Sequence, residues 1–112
     1  MTDAFLEHLR EAEELSAEVL GPYGARPPRE DIDIVTGELI RLGLPLAAKI
    51  AAIPAGERFP RAEGAVADWT YYVAKGVLGP GDHPAWNYAR GLARAVRSLA
   101  LGIREHQPTS TL

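Results

Sequence analysis

Apolar residues recur three and four positions apart along almost the whole chain, and no stretch alternates cleanly with period two. Phe5, Leu9, Ala12, Leu15 or Ser16, and Val19 share one face of a predicted helix over 3–20. Thr2 or Asp3 stands at its cap position and Gly21-Pro22 supplies the stop. "GPYGARPP" (21–28) then predicts a loop, because Gly and Pro disfavour regular continuation. A second helix over 28–53 carries Ile32, Val35, Leu39, Leu42, Leu46, Ile50 and Ile53 on one stripe. Glu30, Asp31 and Asp33 lie near its positive end, where carboxylates are favoured. Pro45 withdraws a backbone donor and crowds the carbonyl of Arg41. The spacing therefore predicts a kink at Gly43–Pro45, or two helices meeting there.

The loop "PAGERFPRAEG" (54–64) leads into a third predicted helix over 61–78. Its inward set is Ala62, Ala65 or Val66, Trp69, Tyr72 or Val73, and Gly76 or Val77, with Gly79 closing it. A fourth helix over 84–106 follows "GPGDHP", with Asp82 or His83 as cap and Pro84 in its first turn. Ala85, Ala89, Leu92, Val96, Leu99 and Ile103 form its stripe, and 107–112 reads as a frayed tail. Four amphipathic helices with short connections predict an all-α fold, an up-and-down four-helix bundle in one domain over 1–112. A three-helix core with an accessory arm is the rival architecture.

Composition narrows the function classes. A chain of 112 residues with 46% hydrophobic residues makes one globular domain. Without cysteine there is no disulfide, thiolate nucleophile or cysteine-ligated metal. A net charge of −3 argues against nucleic acid as a partner. The start, "MTDAFLEHLREAEE", is acidic and amphipathic, unlike a signal peptide, and no apolar run approaches the ~20 residues that span a bilayer. A cytoplasmic protein with no membrane association is the expectation. Lys49 and Lys75 are the sole lysines among many arginines, and alanine is abundant, the bias of a high-GC genome such as an actinomycete's.

The densest chemistry lies in "DWTYYVAKG" (68–76). Asp68, Tyr71 or Tyr72, and Lys75 share one side of a helix. Asp68 could serve there as general base and a tyrosine as acid if burial shifted their pKa values. The competing reading is core packing, with Trp69, Tyr72 and Val73 inward and Asp68 and Lys75 in water. Glu7, Glu11, Glu14 and Glu18 form an acidic row on the first helix, and Arg90, Arg94, Arg97 and Arg104 a basic one on the fourth. Such rows are either solvated faces or docking surfaces for carboxylate, phosphate or sulfate. Trp86 and Tyr88 cannot both join the listed stripe, so at least one aromatic near the 79–84 turn should be exposed or cover a groove, where a small molecule could bind. The expected partner or anion contact is therefore Trp86, Tyr88, Arg90, Arg94 and Arg97. His8, His83 and His106 stand in no metal-ligating spacing, and no phosphate-cradling or dinucleotide motif is present; no metal or cofactor is expected.

"EDIDIVTGELIRLGLPLAAKI" and "ARGLARAVRSLALGIREH" resemble the acidic-led, Pro-interrupted helix and the closing Ala/Leu/Arg helix of a family of short actinobacterial proteins. That family is a domain of unknown function labelled natural-product biosynthesis protein, and the likeness covers residues 28–106. It offers no catalytic motif to carry over. The resemblance implies a setting in secondary metabolism and a non-catalytic accessory protein that supports a larger partner enzyme or forms a homo-oligomer. A small enzyme, or a binding protein for a pathway intermediate, is the alternative.

Overall fold

In the computed structural model, which describes residues 1–22 and 26–107, the first stripe becomes helix α1, Asp3–Val19. Thr2 caps it, its hydroxyl oxygen accepting from the Phe5 amide at 3.1 Å and satisfying one orphaned first-turn donor. Leu9, Ala12, Ser16 and Val19 are buried, so Ser16 and not Leu15 takes the inward place. The Ser16 hydroxyl donates to the Glu13 carbonyl at 3.1 Å, which satisfies it inside an apolar seam. The loop predicted over 21–28 falls partly outside the described residues, and the tail over 107–112 almost wholly so.

Helix α2, Arg29–Ala51, runs through Pro45 as one element, which removes the alternative of two helices meeting there. Burial explains why it does not break. Leu42 precedes the proline, Leu46 and Ile50 follow it, and all three are buried. At about 1.5–3 kcal/mol each, they outweigh the ~3 kcal/mol cost of an interior proline. Pro45 itself is exposed, and the neighbouring Leu42 carbonyl accepts from His8 Nε2 on α1 at 2.9 Å.

A single 3₁₀ turn, Ala55–Glu57, leads to α3, Pro60–Lys75, with proline at its first position. This helix is shorter than the predicted 61–78. Gly76 takes φ +69°, a left-handed cap that needs no Cβ, and it ends the helix before Val77 and Leu78. Val77, the alternative to Gly76 in the inward set, and Leu78 are both exposed. Val73, placed in the core by one reading of the stripe, is 38% exposed, and Tyr72 takes the inward place. Helix α4, Asp82–His106, begins two residues earlier than predicted, after Gly81 at φ +97°.

The four helices form the all-α up-and-down bundle that the periodicity predicts. It is a flattened one. Helices α2 and α4 pack against each other across what would be a diagonal, and α1 and α3 lie to either side of that pair. Glycine and alanine make this close approach feasible. Besides its predicted stripe, α4 buries Trp86, Gly91, Ala93, Ala95, Ala100 and Gly102. A Cβ on Gly43 of α2 would overlap the Trp69 ring, and one on Gly91 of α4 would overlap the Tyr72 ring. Farther along, a Cβ on Gly102 would stand 3.0 Å from the Ala62 Cα. Helix α3 is thus keyed into notches on both long helices.

Polar ties close the edges. Arg104 holds Glu13 with two bonds, at 2.9 and 3.1 Å, joining α4 to α1, and Arg41 joins α2 to α1 through Glu11 at 3.1 Å. The amide of Phe59 donates to His106 Nε2 at 3.0 Å, and their rings stack with centroids 4.1 Å apart. Because Nε2 accepts, the His106 ring carries its proton on Nδ1.

Candidate functional site

The opening of α4 and the end of α3 enclose a groove of about 440 Å³. Its formation follows from the chain stop at Gly76. Once α3 ends there, residues 77–81 swing outward through Gly79 and Gly81, both at positive φ, before α4 begins. Tyr71, Tyr72, Lys75 and Gly76 come from α3, Leu78 from the connection, and Pro84, Asn87, Tyr88 and Arg94 from α4.

The adjacent tyrosines take different places. Tyr72 is half-buried with its ring against Gly91, while Tyr71 is 56% exposed. Their rings meet edge to face at 5.9 Å and 85°, a favourable quadrupolar arrangement. Lys75, one turn beyond Tyr71, donates to its phenol oxygen, with the ammonium 4.7 Å from the ring centroid. Tyr88 is half-buried and its hydroxyl donates to the Tyr72 carbonyl at 3.1 Å, in the last turn of α3. Burial raises the Tyr88 phenol pKa above its ordinary value of 10.0, which keeps it neutral and a donor.

The other expected site residues separate. Asp68 is exposed, stands outside the groove lining, and makes no hydrogen bond to Tyr71 or Tyr72. The carboxylate–phenol pair that general acid–base chemistry would need does not assemble. Trp86, expected on a contact surface, is 4% exposed and belongs to the core, because α4 is enclosed by three helices and buries more than one stripe. Its indole N–H has no hydrogen-bond partner among the described residues.

The arginine row also divides. Arg90 is half-buried and donates to the Val19 and Gly21 carbonyls at 2.9 and 3.0 Å, capping the negative end of α1. Arg104 clamps Glu13, which raises its pKa by hydrogen bonding. Arg94 lines the α3–α4 groove, whereas Arg97 lines a different hollow between α4 and α1, together with Glu13, Ser16 and Leu20. Both are exposed, and neither makes a hydrogen bond or ion pair among the described residues. The Glu7, Glu11 and Glu14 carboxylates sit on an outer face with His8 and Arg10. Among the described residues, no three His, Cys, Asp or Glu side chains converge as a metal site would require.

Sequence reasoning placed Lys75 beside the tyrosines but missed Leu78, Pro84 and Asn87 as groove residues. It also missed Arg58, whose guanidinium donates to the Ile53 and Ala51 carbonyls at 2.8 and 3.0 Å and caps α2. The overlooked signal for the groove is Gly76, a helix-stopping glycine three residues ahead of the one credited with that role. No described helix is long and apolar enough to cross a membrane. Comparison with protein-family models, curated proteins and solved structures found no match.

Proposed function

We propose that this chain is a small, non-catalytic helical accessory protein of natural-product biosynthesis, and that it binds and supports a partner enzyme through the end where α3 meets α4. The observation that carries the proposal is exposed apolar surface at a built groove. Leu78 is 62% and Tyr71 56% exposed beside Tyr88 and Arg94, which makes no hydrogen bond or ion pair among the described residues. The contact set differs from the expected one: Tyr88 and Arg94 remain, Tyr71 and Leu78 join them, Trp86 and Arg90 serve the fold, and Arg97 lines a separate hollow against α1. The resemblance over residues 28–106 supports the biosynthetic setting. The exposed position of Asp68, outside the groove lining, favours this reading over an acid–base enzyme.

Co-expression with the products of neighbouring genes, followed by affinity purification, tests the proposal. A stoichiometric complex that Leu78→Asp and Tyr71→Asp disrupt, with the chain itself still folded, supports it. Recovery of a lone monomer alongside every candidate enzyme overturns it.

A further inference from the structure

We propose that the α3–α4 groove is a binding site for a small amphipathic anion, an aromatic or aliphatic body bearing a carboxylate, sulfate or phosphate. The proposal takes only its location from the contact-surface reading and stands whether or not a partner enzyme docks at this end.

Size comes first. A hollow of about 440 Å³ lies within the range of small-ligand sites, roughly 300–1,000 Å³. The walls are amphipathic. Tyr71, Tyr72 and Tyr88 offer ring faces and edges, while Leu78 and Pro84 add aliphatic surface.

Charge selects the ligand. Lys75 and Arg94 both line the groove, and among the described residues no carboxylate does. On a protein of net charge −3 this is a local reversal of sign. Arg94 makes no hydrogen bond or ion pair among the described residues, so its planar fork is available for a two-pronged contact with an oxyanion. Lys75 is held against the Tyr71 ring and phenol, which restricts a flexible ammonium before any ligand arrives. Asn87 supplies a neutral donor and acceptor on the α4 side.

Three other hollows among the described residues lack this combination. Arg97 shares its hollow with Glu13, and the α1 face is lined by Glu7, Glu11 and Glu14. The hollow beside Lys49 offers one ammonium and no guanidinium.

Titration of the full chain with 1-anilinonaphthalene-8-sulfonate, an anionic aromatic whose fluorescence rises in apolar surroundings, tests the site. A saturable one-to-one isotherm is expected. Arg94→Gln and Lys75→Met each weaken it by about tenfold to a hundredfold, the scale of one charge-assisted hydrogen bond. The uncharged analogue N-phenyl-1-naphthylamine is insensitive to those two changes, and Leu78→Asp weakens both probes. Arg97→Gln and Lys49→Met leave both isotherms unchanged. All five positions are exposed, and unchanged melting curves show that the variants remain folded. Three results overturn the proposal: no saturable signal, an isotherm that Arg94→Gln and Lys75→Met leave within about twofold, or one that Lys49→Met abolishes. Failure to capture a partner enzyme while the probe still binds removes the accessory reading alone.

Discussion

Glycines at interior helical positions have opposite meanings here, and the difference lies in what each one faces. Gly43 and Gly91 receive the rings of Trp69 and Tyr72, whereas a Cβ at Gly37 or Gly64 would meet nothing within 4 Å. Gly43→Ala should therefore destabilise by about 1–3 kcal/mol through overpacking. Gly37→Ala should stabilise by about 0.5–1 kcal/mol, since alanine costs less backbone entropy in a helix. Urea denaturation of both variants checks the pair, and equal effects of one sign would mean that the Trp69 seat is not tight. Tyr88 yields a second prediction at this scale. Its folded-state pKa lies above the ordinary 10.0, so its contribution is fully present below pH 10 and is lost as pH rises through the folded value. Tyr88→Phe should cost about 0.5–1.5 kcal/mol near neutrality, from the lost bond to the Tyr72 carbonyl. The gap between wild type and variant should shrink as denaturation is repeated at increasingly alkaline pH. A gap that stays constant would show that burial does not oppose ionisation of this phenol.

At the scale of elements, arginine caps helix ends from outside the helix. Helix α1 has no basic residue in its last turn, and Arg90 arrives from α4 to take that role. At the end of α2, which has Lys49 in its last turn, Arg58 donates to the Ala51 carbonyl from the segment that follows. Each places a cation on carbonyls at the negative end of a helix dipole, partly shielded from solvent. Arg90→Ala should cost about 1–3 kcal/mol, whereas Arg97→Ala, exposed and unpaired, should stay within about 0.5 kcal/mol. Thermal unfolding monitored by circular dichroism distinguishes the two, and similar losses would refute the capping role. The basic row on α4 looks uniform as a sequence pattern. Its members separate because α1 ends beside one of them, offers Glu13 to another and leaves two exposed.

For the molecule as a whole, flattening sets what is visible at the surface. Packing α2 directly on α4 buries α4 on several sides, which draws Trp86 inward and makes the region around Gly91 a seat for Tyr72. The same arrangement leaves the α3–α4 end open, since α3 stops at Gly76 while α4 starts at Asp82. The groove is thus a product of unequal helix lengths, and the exposed ion pairs that tie the edges, Arg41–Glu11 and Arg104–Glu13, contribute little to holding it.

Helix number, the principal buried stripes, the Thr2 cap and the bundle class were legible in the chain, because amphipathic spacing and capping chemistry are local properties. "DWTYYVAKG" also showed locally that its two tyrosines could not both point inward. Which one did was decided by Gly91, on another helix and nineteen residues beyond Tyr72. The helical course through Pro45 was decided by the burial of Leu42, Leu46 and Ile50, which outweighs a local cost. The division of the arginines was decided by where α1 happens to end. Periodicity records which face of a helix is apolar; it does not record which neighbour lies against that face, and packing partners are what assign these side chains their roles.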